Sequence, residues 1–509
     1  MRPSFPAGSV QRILITGLLI LLQLVWFVLF FTKLAEVASW INLLFLAISV
    51  LIVLHLVIQE ENPAYKIGWI ILIELFPLLG GALYLCFGNQ RPSARMRAKF
   101  RQKEPVFSAL LKQQPEQESG LTSRMKGTAR YVSGAGGFPV WKNTDVRYYR
   151  VGEEMYADML RALEEAQHFI FLEYFIIMES SEMWHGILEI LERKAKQGVD
   201  VRLIYDDLGS VALLPAGYRE VMEKKGIRCL AFNPFVPFLS LVMNHRDHRK
   251  ILCIDGHTVF NGGINLSDEY INRTHPHGHW KDTGVRLVGE GAWNFTVMFL
   301  QMWHAFRPQQ EPFEHFAPHH FHPGSFGGSG WVQPFGDSPL DGEPLSENVY
   351  IDILSQAEDY VYINTPYLAI SNEMQTALMT AAKRGVDVRI VTPGIPDKRI
   401  VYALTRSYYL PLLQAGVKIY EYTPGFIHAK SYLCDDRIGV VGTINMDYRS
   451  LYLHFECGTL MYECDALSSL KSDCEDIFSV SRRVLISDCR RDFPHRLLQA
   501  VLRVFAPLF

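Results

Sequence analysis

Apolar residues are concentrated near the N-terminus, in two long runs without any charged residue. The runs cover residues 13–31 and 40–58, 19 residues each, and only three weakly polar residues interrupt each one. About 20 apolar residues in a helix span the hydrocarbon core of a bilayer. A cleaved signal peptide is the alternative for the first run, but signal peptides have shorter apolar regions of about 7–15 residues. We therefore predict a transmembrane helical hairpin within residues 1–60.

A third apolar stretch, residues 67–87, has a different pattern. It contains Glu74, Pro77 and a Gly-Gly pair, and six Lys or Arg residues without an intervening acid follow it within 91–103. An acid in mid-bilayer is costly and proline interrupts helices, while basic clusters stay on the cytoplasmic side. We predict a re-entrant or interfacial membrane segment with a basic flank over 61–105. A plain stop-transfer flank is compatible with the same pattern.

The remainder of the chain contains an internal repeat. Residues 165–204 and 356–391 each read as an apolar strand, an amphipathic helix that ends at glycine, and a second apolar strand. This βαβ pattern, present twice, predicts an α/β fold with two similar domains over 106–307 and 347–509. The segment between them, 308–346, is rich in Pro, Gly, Ser and His and is predicted to be an inter-domain connection.

Composition narrows the function classes. Lys and Arg total 50 and Asp and Glu total 53, a net charge of −3, which excludes a generally basic nucleic-acid-binding chain. The eight cysteines form no C-x-x-C pair, so neither a disulfide framework nor a cysteine zinc site is predicted. Four histidines in the connection could suggest a metal, but they lack acid or cysteine partners, and we predict a solvated loop and no metal. They are His315, His319, His320 and His322.

Each half of the repeat then carries the same set of polar residues, His-x-Lys-x4-Asp followed by Gly-[Gly/Thr]-x-Asn. On average residue usage, the first part alone matches roughly one position in ten thousand, so two copies at corresponding places are not a coincidence. The first copy is His248, Lys250, Asp255 and Asn265, and the second is His428, Lys430, Asp435 and Asn445.

Strand geometry explains why this spacing suits phosphodiester chemistry. Residues two apart on a strand share a face, so each His and its Lys point the same way. Neutral imidazole is a nucleophile, its protonated form is a general acid, and Lys and Asn can bind phosphate oxygens. We predict that His248 faces His428 across one phosphodiester. Asp255 and Asp435 belong to the motif but lie at the far ends of its strands, where bracing is favoured over phosphate contact.

A nucleophilic histidine needs an acceptor on its other ring nitrogen, because that partner fixes the tautomer. Asp282 follows the first motif, Glu456 follows the second, and each precedes an apolar run with the character of a strand. We predict that these two acids orient the histidines. On the residues alone, either acid could equally lie at the surface.

At these motifs the sequence resembles the phospholipase D superfamily, and nearly its whole length resembles the bacterial cardiolipin synthases within it. The further residues that carry the resemblance are Pro77–Tyr84, Asp268–Asn272 and Asn445–Ser450. The resemblance implies two α/β sandwich domains about a pseudo-twofold axis, with Asp282 and Glu456 orienting the histidines. It implies condensation of two phosphatidylglycerols to cardiolipin and glycerol through a phosphohistidine on the first-half histidine, without a cofactor or nucleic acid.

The apolar runs, the basic flank and the resemblance together predict a multi-pass protein of the bacterial cytoplasmic membrane. We expect it to contact anionic lipid and to have its catalytic domains in the cytoplasm. Residues 494–509 could form an amphipathic interfacial helix or a buried terminal helix. Three alternatives for the function remain. They are a membrane-bound phospholipase D that hydrolyses or transphosphatidylates other phospholipids, a nuclease of the same superfamily, and an inactive lipid-binding scaffold.

Overall fold

The computed structural model describes residues 21, 22, 25, 35–59, 62–88, 91–234, 244–489 and 493–508. These residues fall into two compact units. One contains the described residues within Met1–Arg91, Phe235–Asn244 and Ala500–Phe509, and the other contains those within Pro92–Pro234 and His245–Gln499. The first predicted membrane run, 13–31, lies outside the described residues except for three positions.

The N-terminal part of the first unit is helical. From Ala35 onwards, its described helices are α1 (Ala35–Ile58), α2 (Pro63–Leu75) and α3 (Pro77–Phe87). Asn62 caps α2 by accepting a hydrogen bond from the Ala64 amide at 2.9 Å. Helix α2 ends at Leu75, and Phe76 separates it from Pro77, in agreement with the interruption that the proline predicts.

The Gly-Gly pair allows close packing of two helices. Gly80 and Gly81 lie inside α3. A Cβ on Gly80 would come within 2.3 Å of the Leu72 carbonyl oxygen of α2, so glycine permits the close approach of the two helices. The buried cluster Leu56, Tyr65, Trp69 and Ile73 packs α1 against α2.

The second predicted membrane run, 40–58, lies within α1. Across the described ranges, the structure contains no helix with both the length and the apolar character that a membrane crossing requires.

The second unit contains a seven-stranded sheet built by the first repeat, in the order β1-β8-β6-β5-β2-β3-β4. Its strands are β1 (Thr144–Tyr149), β2 (Phe169–Tyr174), β3 (Asp200–Asp206), β4 (Arg228–Phe232), β5 (Lys250–Ile254), β6 (Thr258–Gly262) and β8 (Gly284–Gly289). The helices of this part are α4 (Ala94–Arg101), α5 (Glu104–Leu110), α6 (Ser123–Ala135), α7 (Gly152–Glu165), α8 (Glu182–Lys196), α9 (Asp207–Ser210), α10 (Tyr218–Lys224), α11 (Ala292–Phe306) and α12 (Pro318–Phe321).

The second repeat builds an eight-stranded sheet in the order β19-β13-β12-β10-β15-β16-β18-β9. Its strands are β9 (Trp331–Asp337), β10 (Tyr360–Asn364), β12 (Asp387–Pro393), β13 (Lys418–Tyr422), β15 (Ser431–Cys434), β16 (Ile438–Gly442), β18 (Glu456–Tyr462) and β19 (Ser481–Arg483). The remaining helices are α13 (Leu345–Gln356), α14 (Asn372–Lys383), α15 (Arg399–Ser407), α16 (Tyr409–Gln414), α17 (Tyr448–Tyr452), α18 (Ala466–Ser479) and α19 (Phe493–Val504).

Four short strands form two further sheets. The pairs are β7 (His279–Lys281) with β14 (Gly425–Ile427), and β11 (Leu368–Ala369) with β17 (Met446–Asp447). Short 3₁₀ helices occupy Pro115–Glu118, Asp268–Ile271, Phe313–Phe316, Ile486–Cys489 and Ala506–Leu508.

The predicted βαβ repeat is present in both halves. Strands β2 and β3 pair in parallel across α8, and β10 and β12 pair in parallel across α14. Gly198 and Gly385 follow the two helices with φ values of +93° and +100°. Only glycine adopts this backbone conformation without strain, which explains how both helices end.

Two predicted boundaries differ from the structure. The connection predicted over 308–346 contains β9, which pairs antiparallel with β18 at the edge of the second sheet. Proline is tolerated in an edge strand, so Pro334 does not disrupt β9. In the sequence, however, the proline argues against a strand. The basic flank predicted to belong to the membrane segment contains α4, which belongs to the second unit, where the ring of Phe100 stacks on Phe455 at 5.5 Å.

Candidate active site

The two motif histidines lie at corresponding places in the two halves. His248 precedes β5 and His428 lies between β14 and β15. Both side chains are buried, with Lys250 and Lys430 buried beside them. The structure therefore brings both His-Lys pairs into the interior of one compact unit.

Short backbone pairings connect each motif to the opposite half. The His248 amide donates to the Phe455 carbonyl at 2.9 Å, and the Phe455 amide donates to the Arg246 carbonyl at 2.9 Å. In the other direction, β14 pairs in parallel with β7, and the His428 amide donates to the Lys281 carbonyl at 2.7 Å. Phe455 and Lys281 immediately precede the two predicted orienting acids.

These pairings cause the acids to cross between the halves. Asp282 follows the first motif in the chain, but its Oδ2 lies 2.6 Å from Nδ1 of His428. Glu456 follows the second motif, and its two carboxylate oxygens lie 2.8 and 2.9 Å from Nδ1 of His248. Each histidine is therefore held by an acid from the other half, and neither half contains a complete His-acid pair of its own.

The variable Gly/Thr position of the motif tail contacts these acids. Thr443 donates its hydroxyl hydrogen to Glu456. The equivalent Gly263 has no side chain, and a Cβ there would lie 2.1 Å from Oδ1 of Asp282. Threonine thus supports one acid, while glycine leaves room for the other.

Burial sets the protonation of the histidines. It lowers the pKa of His248 and His428 well below the usual range, and the charges of Lys250 and Lys430 lower both further. Both imidazoles are therefore neutral at pH 7. With Nδ1–H directed at a carboxylate, the lone pair lies on Nε2, which is the nucleophilic form of the ring.

The two motif lysines are also perturbed. Burial lowers the pKa of Lys250 to about 8 and that of Lys430 to about 7. The Nζ of Lys250 donates to the His248 carbonyl at 2.6 Å. The Nζ of Lys430 donates to the His428 carbonyl and lies 2.8 Å from Nδ1 and 2.9 Å from Nε2 of the His428 ring. A phosphate anion in the site would favour the charged form of both ammonium groups.

The motif aspartates lie away from this centre. Asp255 is five residues beyond Lys250, about 16 Å along an extended strand. Its carboxylate accepts hydrogen bonds from the backbone amides of Gln167, His168 and Phe169 at 2.8 Å each. Asp435 accepts from Glu358, Asp359 and Tyr360 at 2.7–3.0 Å in the same way. Both aspartates brace the start of the neighbouring strand, and including them among the catalytic residues is not supported by these contacts.

The two motif asparagines differ in their contacts. Asn265 accepts from the Ile176 amide at 3.1 Å and donates to the Tyr270 hydroxyl at 2.7 Å, so both ends of its side chain are engaged within the protein. Asn445 is buried, and its Oδ1 has no hydrogen-bond partner among the described residues.

Several side chains near the histidines were not among the predicted site residues, although Tyr270 lies within the segment Asp268–Asn272 that carries the resemblance. The ring of Phe175 lies 4.9 Å from that of His248, and Tyr270 and Trp280 lie 5.3 and 5.4 Å from His428. The ring centroid of His454 lies 5.7 Å from that of His248. Lys398, at the N-cap of α15, adds a positive charge that lowers the pKa of both motif histidines.

Comparison with known proteins shows which family the chain belongs to. Residues 159–280 and 350–478 match the family model described as "Cardiolipin synthase, PLD-like domain", and residues 44–89 match the Phospholipase D-nuclease N-terminal family. A cardiolipin synthase of Alkalihalophilus pseudofirmus is 34% identical over 88% of this chain and 90% of its own length. An uncharacterized protein of Streptococcus mutans is 47% identical over 90% of this chain and 99% of its own.

Among solved structures, phosphatidylserine synthase of Haemophilus influenzae has the same fold. It aligns with a TM-score of 0.54 at 14% identity and covers 72% of this chain and 93% of its own length. The fold and the duplicated motif define a phosphatidyltransferase of the phospholipase D superfamily. Within that superfamily, the chain belongs to the bacterial cardiolipin synthase family.

Proposed function

We propose that this enzyme transfers a phosphatidyl group from one phosphatidylglycerol to another, giving cardiolipin and glycerol, through a phosphohistidine on His248. The observation that carries the proposal is the pair of buried neutral imidazoles, each held at Nδ1 by an acid of the opposite half. This arrangement provides one nucleophile and one proton carrier for a single phosphorus atom.

In the first step, Nε2 of His248 attacks phosphorus and the bond from phosphorus to the glycerol headgroup oxygen breaks. His428, protonated when the anionic substrate is bound, gives its Nε2 proton to that oxygen, and glycerol leaves. Glu456 stabilises the positive charge that develops on the His248 ring.

In the second step, His428 is neutral and takes the proton from a headgroup hydroxyl of a second phosphatidylglycerol. The resulting oxygen attacks phosphorus, the bond from phosphorus to Nε2 breaks, and cardiolipin forms. His428 is protonated again and His248 is neutral, so the cycle is closed without a cofactor.

Cations at the site suit a reaction between two anionic lipids. Lys250 and Lys430 lie beside the histidines and would bind the oxygens of the reacting phosphate. Lys398 is more exposed and acts on both histidines. Its position suits the phosphate of the acceptor lipid, which does not react but must be held close to the donor.

We also propose that the enzyme is held at the bacterial cytoplasmic membrane by its N-terminal region, with two crossings and cytoplasmic catalytic halves. Helix α1 exposes many apolar side chains, among them Trp40, Leu51 and Ile58, and such a surface favours a lipid environment. The charged side chains of Arg95, Arg97, Lys99 and Arg101 on α4 are exposed, in keeping with attraction to anionic headgroups.

Product analysis tests the proposal. Purified full-length enzyme is incubated with vesicles of labelled phosphatidylglycerol, and lipids and water-soluble products are separated. We expect cardiolipin and glycerol in equal amounts, and a loss of nearly all turnover in His248→Ala and in His428→Ala. Phosphatidic acid as the main product would instead identify a hydrolase. Full turnover in either histidine variant would overturn the mechanism.

A further inference from the structure

The imidazole of His454 is unexplained by the reaction. Its side chain is 11% exposed, and neither ring nitrogen has a hydrogen-bond partner among the described residues. An unpartnered buried polar group costs stability, so a ring of this kind next to a catalytic centre points to a ligand. Its Nδ1 lies 3.7 Å from Oε1 of Glu456, the acid that holds His248.

The three side chains converge on one point. One ligand atom from each of His248, His454 and Glu456 lies within 4.8 Å of the other two. Around a tetrahedral zinc ion with bonds of about 2.0–2.1 Å, neighbouring ligand atoms are about 3.3–3.4 Å apart. The distance from His454 to Glu456 is already close to that value, while the 2.8 Å distance from His248 to Glu456 would lengthen by about half an ångström.

We propose that His248, His454 and Glu456 form a site for a divalent transition-metal ion such as Zn²⁺, and that the bound ion inhibits the enzyme. Two imidazoles and a carboxylate are a known ligand set for zinc, with a fourth position left for water. The inhibitory effect rests on the proposed role of His248, whereas the binding site rests on the geometry alone.

Proton positions explain why the ion would inhibit. In the active form, the His248 ring carries its hydrogen on Nδ1, donates it to Glu456, and has its lone pair on Nε2. A metal ion that binds Nδ1 takes the lone pair of that nitrogen, so the single hydrogen of the neutral ring must lie on Nε2. The nucleophilic lone pair is then lost, and Glu456 binds the ion instead of orienting the ring.

Nearby charge limits the affinity. Lys250 and Lys430 lie close enough to lower the pKa of His248, and their positive charges oppose a cation. We therefore expect reversible binding that is weaker than in a closed structural zinc site. A chelator would then leave the activity intact or raise it.

Binding can be measured without substrate. Chelator-treated full-length enzyme is titrated with Co²⁺, whose visible absorption reports tetrahedral coordination, and then with Zn²⁺ to displace it. We compare the wild type with His454→Asn and with His454→Gln, so that the result does not depend on one variant folding. A double variant, His315→Asn with His320→Asn, controls for the histidine-rich segment, where the two rings stack at 4.8 Å.

We expect one tetrahedral Co²⁺ per chain in the wild type and in the control, and none in the two His454 variants. For cardiolipin formation, each protein is compared with its own metal-free rate. The Zn²⁺ concentration that halves this rate should rise at least tenfold in the His454 variants. Equal Co²⁺ binding in the wild type and the His454 variants, or binding lost only in the control, would overturn the site. If the His454 variants lose Co²⁺ binding but the wild type makes no cardiolipin, the metal site is supported and the proposed function is rejected.

Discussion

Gly263 and Thr443 occupy the same position in the two motif tails, and each is fitted to the acid beside it. The Thr443 hydroxyl donates to Glu456, whereas a Cβ at Gly263 would overlap Asp282. The sequence shows only that the position varies between the copies. The reason for the difference is the acid that packs beside each position, and the local sequence does not show which acid that is.

At the residue scale, we predict that Gly263→Ala lowers kcat by about 10–100-fold, the usual cost of losing a residue that positions a catalytic group. The added methyl group displaces the Asp282 carboxylate, and His428 loses its acceptor. Gly127→Ala is the matched control, because a Cβ there meets no atom within 4 Å. Steady-state kinetics on detergent-dispersed phosphatidylglycerol measures both variants. Equal rates for the two would show that Asp282 tolerates displacement.

The lysine pKa values give a prediction for pH dependence. The pKa of Lys430 is about 7 and that of Lys250 is about 8, so both lose charge as the pH rises through this range. Neutral lysine binds phosphate less well, and kcat/KM, which reports the free enzyme, should fall as the pH rises from about 6.5 to 8.5. In Lys430→Arg the charge persists, so the decline should move up to the pKa of Lys250. A pH profile of kcat/KM that is the same in Lys430→Arg and the wild type would show that deprotonation of Lys430 does not cause the decline.

At the scale of elements, the parallel pair β7–β14 and the backbone bonds around Phe455 make the two halves interdependent. They carry Asp282 to His428 and Glu456 to His248. The repeat, the βαβ units and the motif copies are predictable because their signals are local in sequence. The crossing of the acids is not, because strands of three residues with long separations leave no periodic signal.

The crossing predicts different defects for the two acids. A phosphatidyl p-nitrophenyl ester needs no proton donor in the first step, because p-nitrophenolate is a good leaving group. Asp282→Asn impairs only His428, so it should release one p-nitrophenol per site and then stop. Glu456→Gln impairs the nucleophile His248 and should show no burst, because glutamine favours the wrong tautomer. Rapid-mixing absorbance measures the burst. The opposite assignment of burst and no burst would mean that each acid serves its own half.

At the scale of the whole molecule, the second unit begins at Pro92, after α1, α2 and α3. We call it the catalytic unit because it contains both motifs. This division differs from the predicted boundary because α4 carries both exposed basic residues and the buried Phe100. The basic residues of α4 are visible in the sequence, but the contact of Phe100 with Phe455, which holds α4 in the catalytic unit, is not. The same limit applies to β9, whose proline and glycine residues resemble a linker.

We predict that removal of residues 1–91 leaves the catalytic unit folded, because its sheets and both motifs lie within the remaining chain. The truncated protein should retain most activity on detergent-dispersed phosphatidylglycerol and lose most of it on intact vesicles. Circular dichroism verifies folding, and removal of 1–103, which also deletes Phe100, is the comparison expected to be less stable. Equal rates of the 1–91 deletion and the full chain on vesicles would show that the N-terminal region is not the membrane contact.

The central claim is a covalent phosphatidyl intermediate on His248, released with the help of His428. Peptide mass spectrometry tests it directly, after His428→Ala has reacted with the p-nitrophenyl ester and been quenched in alkali, in which a phosphohistidine is stable. The account predicts one phosphatidyl adduct per chain, on the peptide that carries His248, and no adduct in His248→Ala. Release of p-nitrophenol without an adduct, or with the adduct on any other residue, would contradict it.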